Sequence, residues 1–210
     1  TLFCVENPGE WMAKGFRRCF WGVLLLAFHI NLGSIPILPD FVGYLFLISG
    51  VNCLRERAVA PGLRRAGIYG RILCFLSVLE LFSPFFLPSN LAAIPFALPL
   101  VYGAAAACLH LAFVFEVLNV SSQILALDRF PMHAKANSRR LRLYMTAYLL
   151  VQMGVLVCRL SQKADFFFVL AGAGLFVQLY LLDTFSRLRR WYYGFTPAGP
   201  IRFTEAGPLG

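Results

Sequence analysis

Apolar runs alternate with short clusters of arginine and lysine along the chain, and few folds tolerate that alternation. The stretch from Phe28 to Glu56 holds the unit in small. It contains the end of one apolar run, a polar hinge, a Leu-Pro-Asp start signal and a second apolar run closing on Arg55 and Glu56. Hydrophobic residues fill 59% of the 210 positions and charged ones only 14%. A soluble domain carries about a quarter charged residues. This composition points to a bilayer as the solvent. The expected fold is all-α: a polytopic transmembrane helical bundle.

Six spans can be read in order, at about residues 19–37, 38–54, 68–86, 98–119, 143–158 and 166–182. They stand between an N-terminal segment, residues 1–18, and a Gly- and Pro-rich tail, residues 191–210, expected to be flexible. The first span is short for a hydrocarbon core about 30 Å thick. Extension back through Phe16, with Arg17 and Arg18 snorkelling to the headgroups, lengthens it. With basic residues before it and no small-residue cleavage site after it, this run reads as an anchor rather than a removed signal peptide. Gly33-Ser34-Ile35-Pro36 breaks the helix, and Pro39 and Asp40 open the next one. Proline suits a first helical turn, and a carboxylate there meets the positive end of the helix dipole. Residues 120–142 read as the longest polar connection.

Orientation follows from counting. With the N-terminus inside, 17 of the 19 lysines and arginines fall inside, and only Arg159 and Lys163 fall outside. The expected arrangement is three hairpins with both termini cytoplasmic. An odd number of spans would put a basic cluster outside. The net charge of +9 is thereby explained by membrane orientation, and nucleic acid is not needed as a partner. The expected partners are the bilayer itself, with anionic lipid at the basic inner loops, and a second copy or another membrane protein.

Small residues mark where helices should meet. Gly43 and Gly50 lie seven apart, hence on one face, and offer a flat strip to a neighbour. The blocks Gly103 to Ala107 and Ala171 to Gly174 should pack tightly in the same way.

Polar groups inside a bilayer are costly, about 2.5 to 3.5 kcal/mol for a central charge, so each is weighed. His29, Asn31, Asp40 and Glu80 fall toward the outer side and could line one polar cavity that takes a cation or relays protons. Their plainer roles are also open: Asp40 as a helix-start residue, His29 and Asn31 as interfacial hydrogen bonders, Glu80 bonded to a neighbouring helix. His110 and Glu116 are six apart and do not share a helix face, so His110 should bond to another helix. Glu116 and Asp183 should meet arginines at the inner surface.

No HExxH, GxSxG or phosphate-binding glycine loop occurs. The cysteines Cys4, Cys19, Cys53, Cys74, Cys108 and Cys158 form no CxxC pair and read as small apolar residues. The expectation is therefore no catalytic residue, no metal and no cofactor.

Asn31-Leu32-Gly33 followed by Leu38-Pro39-Asp40-Phe41-Val42-Gly43-Tyr44 resembles a group of uncharacterised bacterial polytopic membrane proteins. In that group an N-x-G segment and an L-P-D-[FW]-x-G-Y step recur near the N-terminus. The resemblance covers roughly residues 28–56. It implies a bacterial cytoplasmic membrane setting and singles out Asp40, Gly43 and Tyr44; it implies no activity. Three functional readings follow. The first is a structural, accessory or regulatory membrane protein without catalysis. The second is a transporter or channel subunit using His29, Asn31, Asp40 and Glu80. The third, ranked last, is an intramembrane enzyme using His110 or Glu80.

Overall fold

The computed structural model describes residues 8–27, 31–32, 35–36, 40–56, 58–86, 97–127, 130–161, 166–193 and 201–202. Its helices are α1 (Pro8–Ala27), α2 (Asp40–Arg55), α3 (Pro61–Phe86), α4 (Ala97–Leu127), α5 (Pro131–Ser161) and α6 (Phe167–Tyr193). Proline opens α1, α3 and α5, where its missing N–H would have had no helical partner. Asp40 opens α2 and sets its carboxylate on the positive end of that helix. Among the described residues, three helical stretches are long and apolar enough to cross a membrane: Leu100–Leu127, Pro131–Ser161 and Phe168–Tyr192.

α3 to α6 are longer than the apolar runs that announced them, whereas α2 nearly matches its run, 38–54, and α1 ends at Ala27, short of the expected residue 37. α1 begins at Pro8 rather than at the first apolar residue, and α3 begins at Pro61. Residues 120–142 are not a long connection, because α4 continues to Leu127 and α5 starts at Pro131. Hydropathy marks where lipid tails would be, whereas the backbone ladder continues wherever the next hydrogen bond can form. The expected start of the tail at residue 191 moves in the same way. Residues 191–193 belong to α6, and β4 (Ile201–Arg202) pairs in parallel with β3 (Ala58–Val59). A second ladder joins β1 (Asn31–Leu32) to β2 (Ile35–Pro36), antiparallel, across the expected hinge.

Each helix packs on its neighbours in sequence, and α6 returns to α1, so the six close a ring. Neighbours run antiparallel, which brings the arginine clusters to one end, called here the basic end. Its core is dense. Phe16 stacks on Tyr192 at 5.3 Å and meets Phe185 at 6.4 Å. Met12, Leu54, Leu63, Phe113, Leu118 and Leu188 are buried around them. Large apolar side chains such as Phe168 (84% exposed) and Phe176 (75% exposed) face outward, as lipid contact requires.

α1 and α2 approach most closely, through glycines. A Cβ on Gly50 would lie 2.8 Å from Gly15 O and 2.5 Å from Cys19 Sγ; one on Gly22 would lie 2.8 Å from Gly43 O. Gly15 and Gly22 thus repeat on α1 the spacing of Gly43 and Gly50 on α2. The other two small-residue blocks do not pack this way. A Cβ on Gly103 would meet only Arg159, at 3.7 Å, and one on Gly172 would meet nothing within 4 Å. Their helices splay apart there, and α5 and α6 share the least contact of any neighbouring pair.

Candidate functional site

Splaying opens a cavity of about 440 Å³ at the end of the ring away from the arginine clusters. That size is ordinary for a small-molecule site, about 300 to 1,000 Å³. Its wall comes from the start of α2, the first half of α4, the second half of α5, Gln178 of α6 and Leu26 of α1. Among the described residues α3 contributes nothing to the lining. Much of the wall is hydrocarbon, including Ala104, Ala107, Leu149 and Leu156. The small side chains of Gly103 to Ala107 are what leave the room.

The polar lining is specific. Among the described lining residues Asp40 is the one carboxylate and Arg159 the one guanidinium. Arg159 is exposed, and no described carboxylate stands within ion-pair distance of it. Gln152 lies beside the Tyr148 hydroxyl one helical turn away. Gln178 Oε1 is buried, lines the cavity and accepts no hydrogen bond among the described residues. A buried acceptor without a donor calls for a partner of some kind.

The floor is aromatic. His110 is 5% exposed, and its Nε2 stands 3.2 Å from the Tyr144 hydroxyl of α5. Its ring stacks on Tyr148 at 5.5 Å and meets Tyr44 edge-on at 6.5 Å. Tyr144 stacks on Tyr148 at 5.7 Å. These rings close the cavity toward the basic end, and the dense core lies beyond them.

The sequence candidates separate in space. Asp40, Tyr44 and His110 come together at the cavity. Glu80 does not line it; it sits exposed on α3 beside Tyr102, whose hydroxyl donates to Leu76 O at 2.7 Å. His29 and Pro39 lie outside the described residues, and Asn31 is described only as backbone in β1. Glu116 is at the basic end, held by Arg65 with Nε–Oε1 at 2.7 Å and Nη2–Oε2 at 3.3 Å. Asp183 is also there, paired with Arg140 at 2.7 Å and Arg187 at 2.9 Å. Gly43 and Gly50 serve the contact with α1.

Arg159, Tyr148, Gln152 and Gln178 were not singled out from sequence as site residues. Arg159 had shown itself only as a cation on the unfavoured side of the membrane. The two glutamines are polar residues inside apolar runs, a signal that could have been used. No group of three or more metal-binding side chains occurs among the described residues. Comparison with protein-family models, with curated proteins and with solved structures finds no match.

Proposed function

We propose that this chain is a six-span protein of the bacterial cytoplasmic membrane that binds a small molecule in the cavity, without catalysis, as an accessory or regulatory component. The threading is three hairpins with both ends in the cytoplasm. The count of basic residues on the two sides supports that threading. The resemblance at Asn31 to Tyr44 supports the bacterial setting.

One observation carries the binding reading. Opposite charges, an orphaned amide oxygen and ring faces converge on one cavity at the end where cations are otherwise kept away. The filled core beyond the tyrosine–histidine floor favours holding a ligand over conducting it. A transporter subunit is the second reading, with this cavity as its outward-facing state; six spans then call for a dimer. The shared presence of Asp40 and His110 is what an intramembrane enzyme would also need. His110 Nε2, however, is engaged by the Tyr144 hydroxyl in the floor, and no described serine, threonine or cysteine at the cavity is bonded to a base as a nucleophile would be.

The test is purification in mild detergent followed by native mass analysis. The wild type should retain a small molecule, and Ala107→Trp, which fills the cavity, should lose it. A wild type that carries nothing, with Ala107→Trp equally stable and equally empty, removes the binding reading. Uptake of that molecule into proteoliposomes would move the assignment to the transporter.

A further inference from the structure

The lining also limits the chemistry of the ligand, and this step rests on the binding reading above. We propose that the cavity takes an amphiphile: an anionic oxygen head held by Arg159 at the mouth, and a hydrocarbon tail running inward between α4 and α5.

Helix geometry sets the depth of each group. Tyr148, Gln152, Val155 and Arg159 line the cavity at steps of four, three and four residues, so they form one stripe along α5. Arg159 lies eleven residues beyond Tyr148, about 16 Å along the axis at 1.5 Å per residue. It stands in the last turn of α5, at the open end, whereas the Tyr148 ring is part of the floor. Its side chain leans across to α4, with Nη1 3.7 Å from where a Cβ on Gly103 would be. Gly103, Ala107 and His110 make the facing stripe, and Gly103 lies about 10 Å along α4 from His110. A guanidinium thus overhangs the mouth, rings close the floor, and the alkyl groups of Ala104, Ala107, Leu149 and Leu156 line the wall.

The other polar groups are answered or out of reach. Asp40 already has a partner within the chain. His110 has the Tyr144 hydroxyl, and Gln152 lies beside the Tyr148 hydroxyl. Gln178 stands eleven residues into α6, about 16 Å from its start, and so at the depth of the floor rather than of Arg159. Arg159 presents a planar fork of donors that matches a carboxylate or phosphate, and no described carboxylate stands within ion-pair distance of it. A cationic head would be repelled there. A plain hydrocarbon would leave the guanidinium unmatched, and a small anion would leave the alkyl wall unfilled.

Two sources carry this chemistry, a free acid with an alkyl tail and an anionic phospholipid of the membrane, and the experiment separates them. The purified full chain in dioleoyl phosphatidylcholine nanodiscs is titrated with decanoate, decanol and decylamine, and bound copies are counted by native mass analysis. In parallel, dioleoyl phosphatidylglycerol is mixed into the nanodiscs as the anionic lipid. If a free acid is the source, decanoate should fill one saturable site about fivefold more tightly than decanol or decylamine. The preference is modest because Arg159 is exposed and water screens it. If a lipid is the source, one copy of phosphatidylglycerol should be held in the cavity, beyond those gathered by the arginines of the basic end.

Arg159→Gln removes an exposed cation with no described ion pair at stake. It should erase the preference for the anionic head while leaving decanol as in the wild type, and Ala107→Trp should remove the site altogether. A decanoate copy lost in both variants assigns a free acid, and a phosphatidylglycerol copy alone lost in both assigns a lipid. No preference for the anionic head in either arm, an unchanged preference in Arg159→Gln, or no copy lost in Ala107→Trp overturns the inference. A molecule retained from native membrane that Ala107→Trp releases, and that is not an anionic amphiphile, also overturns it while leaving the binding reading standing.

Discussion

The basic end and the open end of the same ring are built on opposite terms. At the basic end, helices meet through backbone and aromatic rings, and both carboxylates noted there have named partners. Glu116 has Arg65 and Asp183 has Arg140 and Arg187; Asn137 donates to Leu118 O at 3.0 Å and Ser122 Oγ at 2.8 Å, while its Oδ1 accepts no hydrogen bond among the described residues. At the open end, the same helices diverge and leave Gln178 Oε1 without a donor and Arg159 without a counter-charge among the described residues. One end is spent on holding the bundle together. Satisfaction at the other end is left to something that arrives from outside.

The sharpest way to break this contrast is at the α1–α2 contact. Gly50→Val would put carbon against Gly15 O and Cys19 Sγ, and backbone cannot step aside as a side-chain tip can. It should cost about 3 kcal/mol or more, at the top of the range for overpacked cores. Gly172→Val, with open space around it, should stay within about 0.5 kcal/mol of wild type. Unfolding in mixed micelles with increasing dodecyl sulfate measures both. Equal effects would erase the difference between the two ends.

Next in size is Arg65→Ala. It leaves the Glu116 carboxylate, whose side chain is 10% exposed, without its bidentate partner. Arg65 itself is 58% exposed, so the full penalty for breaking a buried pair does not apply. About 1 to 2 kcal/mol is expected from the same unfolding assay. Arg65→Ala with Glu116→Gln should recover part of that loss, because the stranded charge is gone.

Smaller again is Tyr144→Phe, which removes the hydroxyl at His110 Nε2 and leaves the ring stack on Tyr148 intact. About 1 kcal/mol is expected. A larger loss would mean that the floor of the cavity is part of the core rather than its lid.

The same contrast explains what the sequence could and could not disclose. Apolar runs and arginine clusters are read one at a time along the chain, so helix number and the placement of cations were legible. Helix ends were not, because an arginine-bearing turn such as that of residues 61–65 continues the backbone ladder without being apolar. The spacing of Gly43 and Gly50 named a contact face but not its partner, since Gly15 and Gly22 must be found in three dimensions. Gly103 to Ala107 carried an equally good signal for close contact and instead lines an opening. Small residues permit approach; the neighbouring helix decides whether approach occurs. Asp40 stood out because it is charged. Gln152 and Gln178 did not, because an uncharged polar residue in an apolar run gains its meaning only from what faces it.

The last test should leave stability untouched and ask only about access. Cys108 is exposed and lines the cavity, while Cys19 is buried between α1 and α2 beside Gly50. In variants that keep one of these cysteines and replace the others by serine or alanine, a small membrane-impermeant thiol reagent added to intact cells should modify Cys108 and spare Cys19. A small molecule held in the cavity should slow modification of Cys108 by at least about tenfold when its site is nearly saturated, since only the empty fraction reacts. Labelling of Cys108 solely after the inner face is exposed would reverse the threading, turning the cavity toward the cytoplasm while leaving its lining as described. Equal labelling of both cysteines from outside would instead show that the α1–α2 seam opens, and the difference between the two ends would then be one of degree.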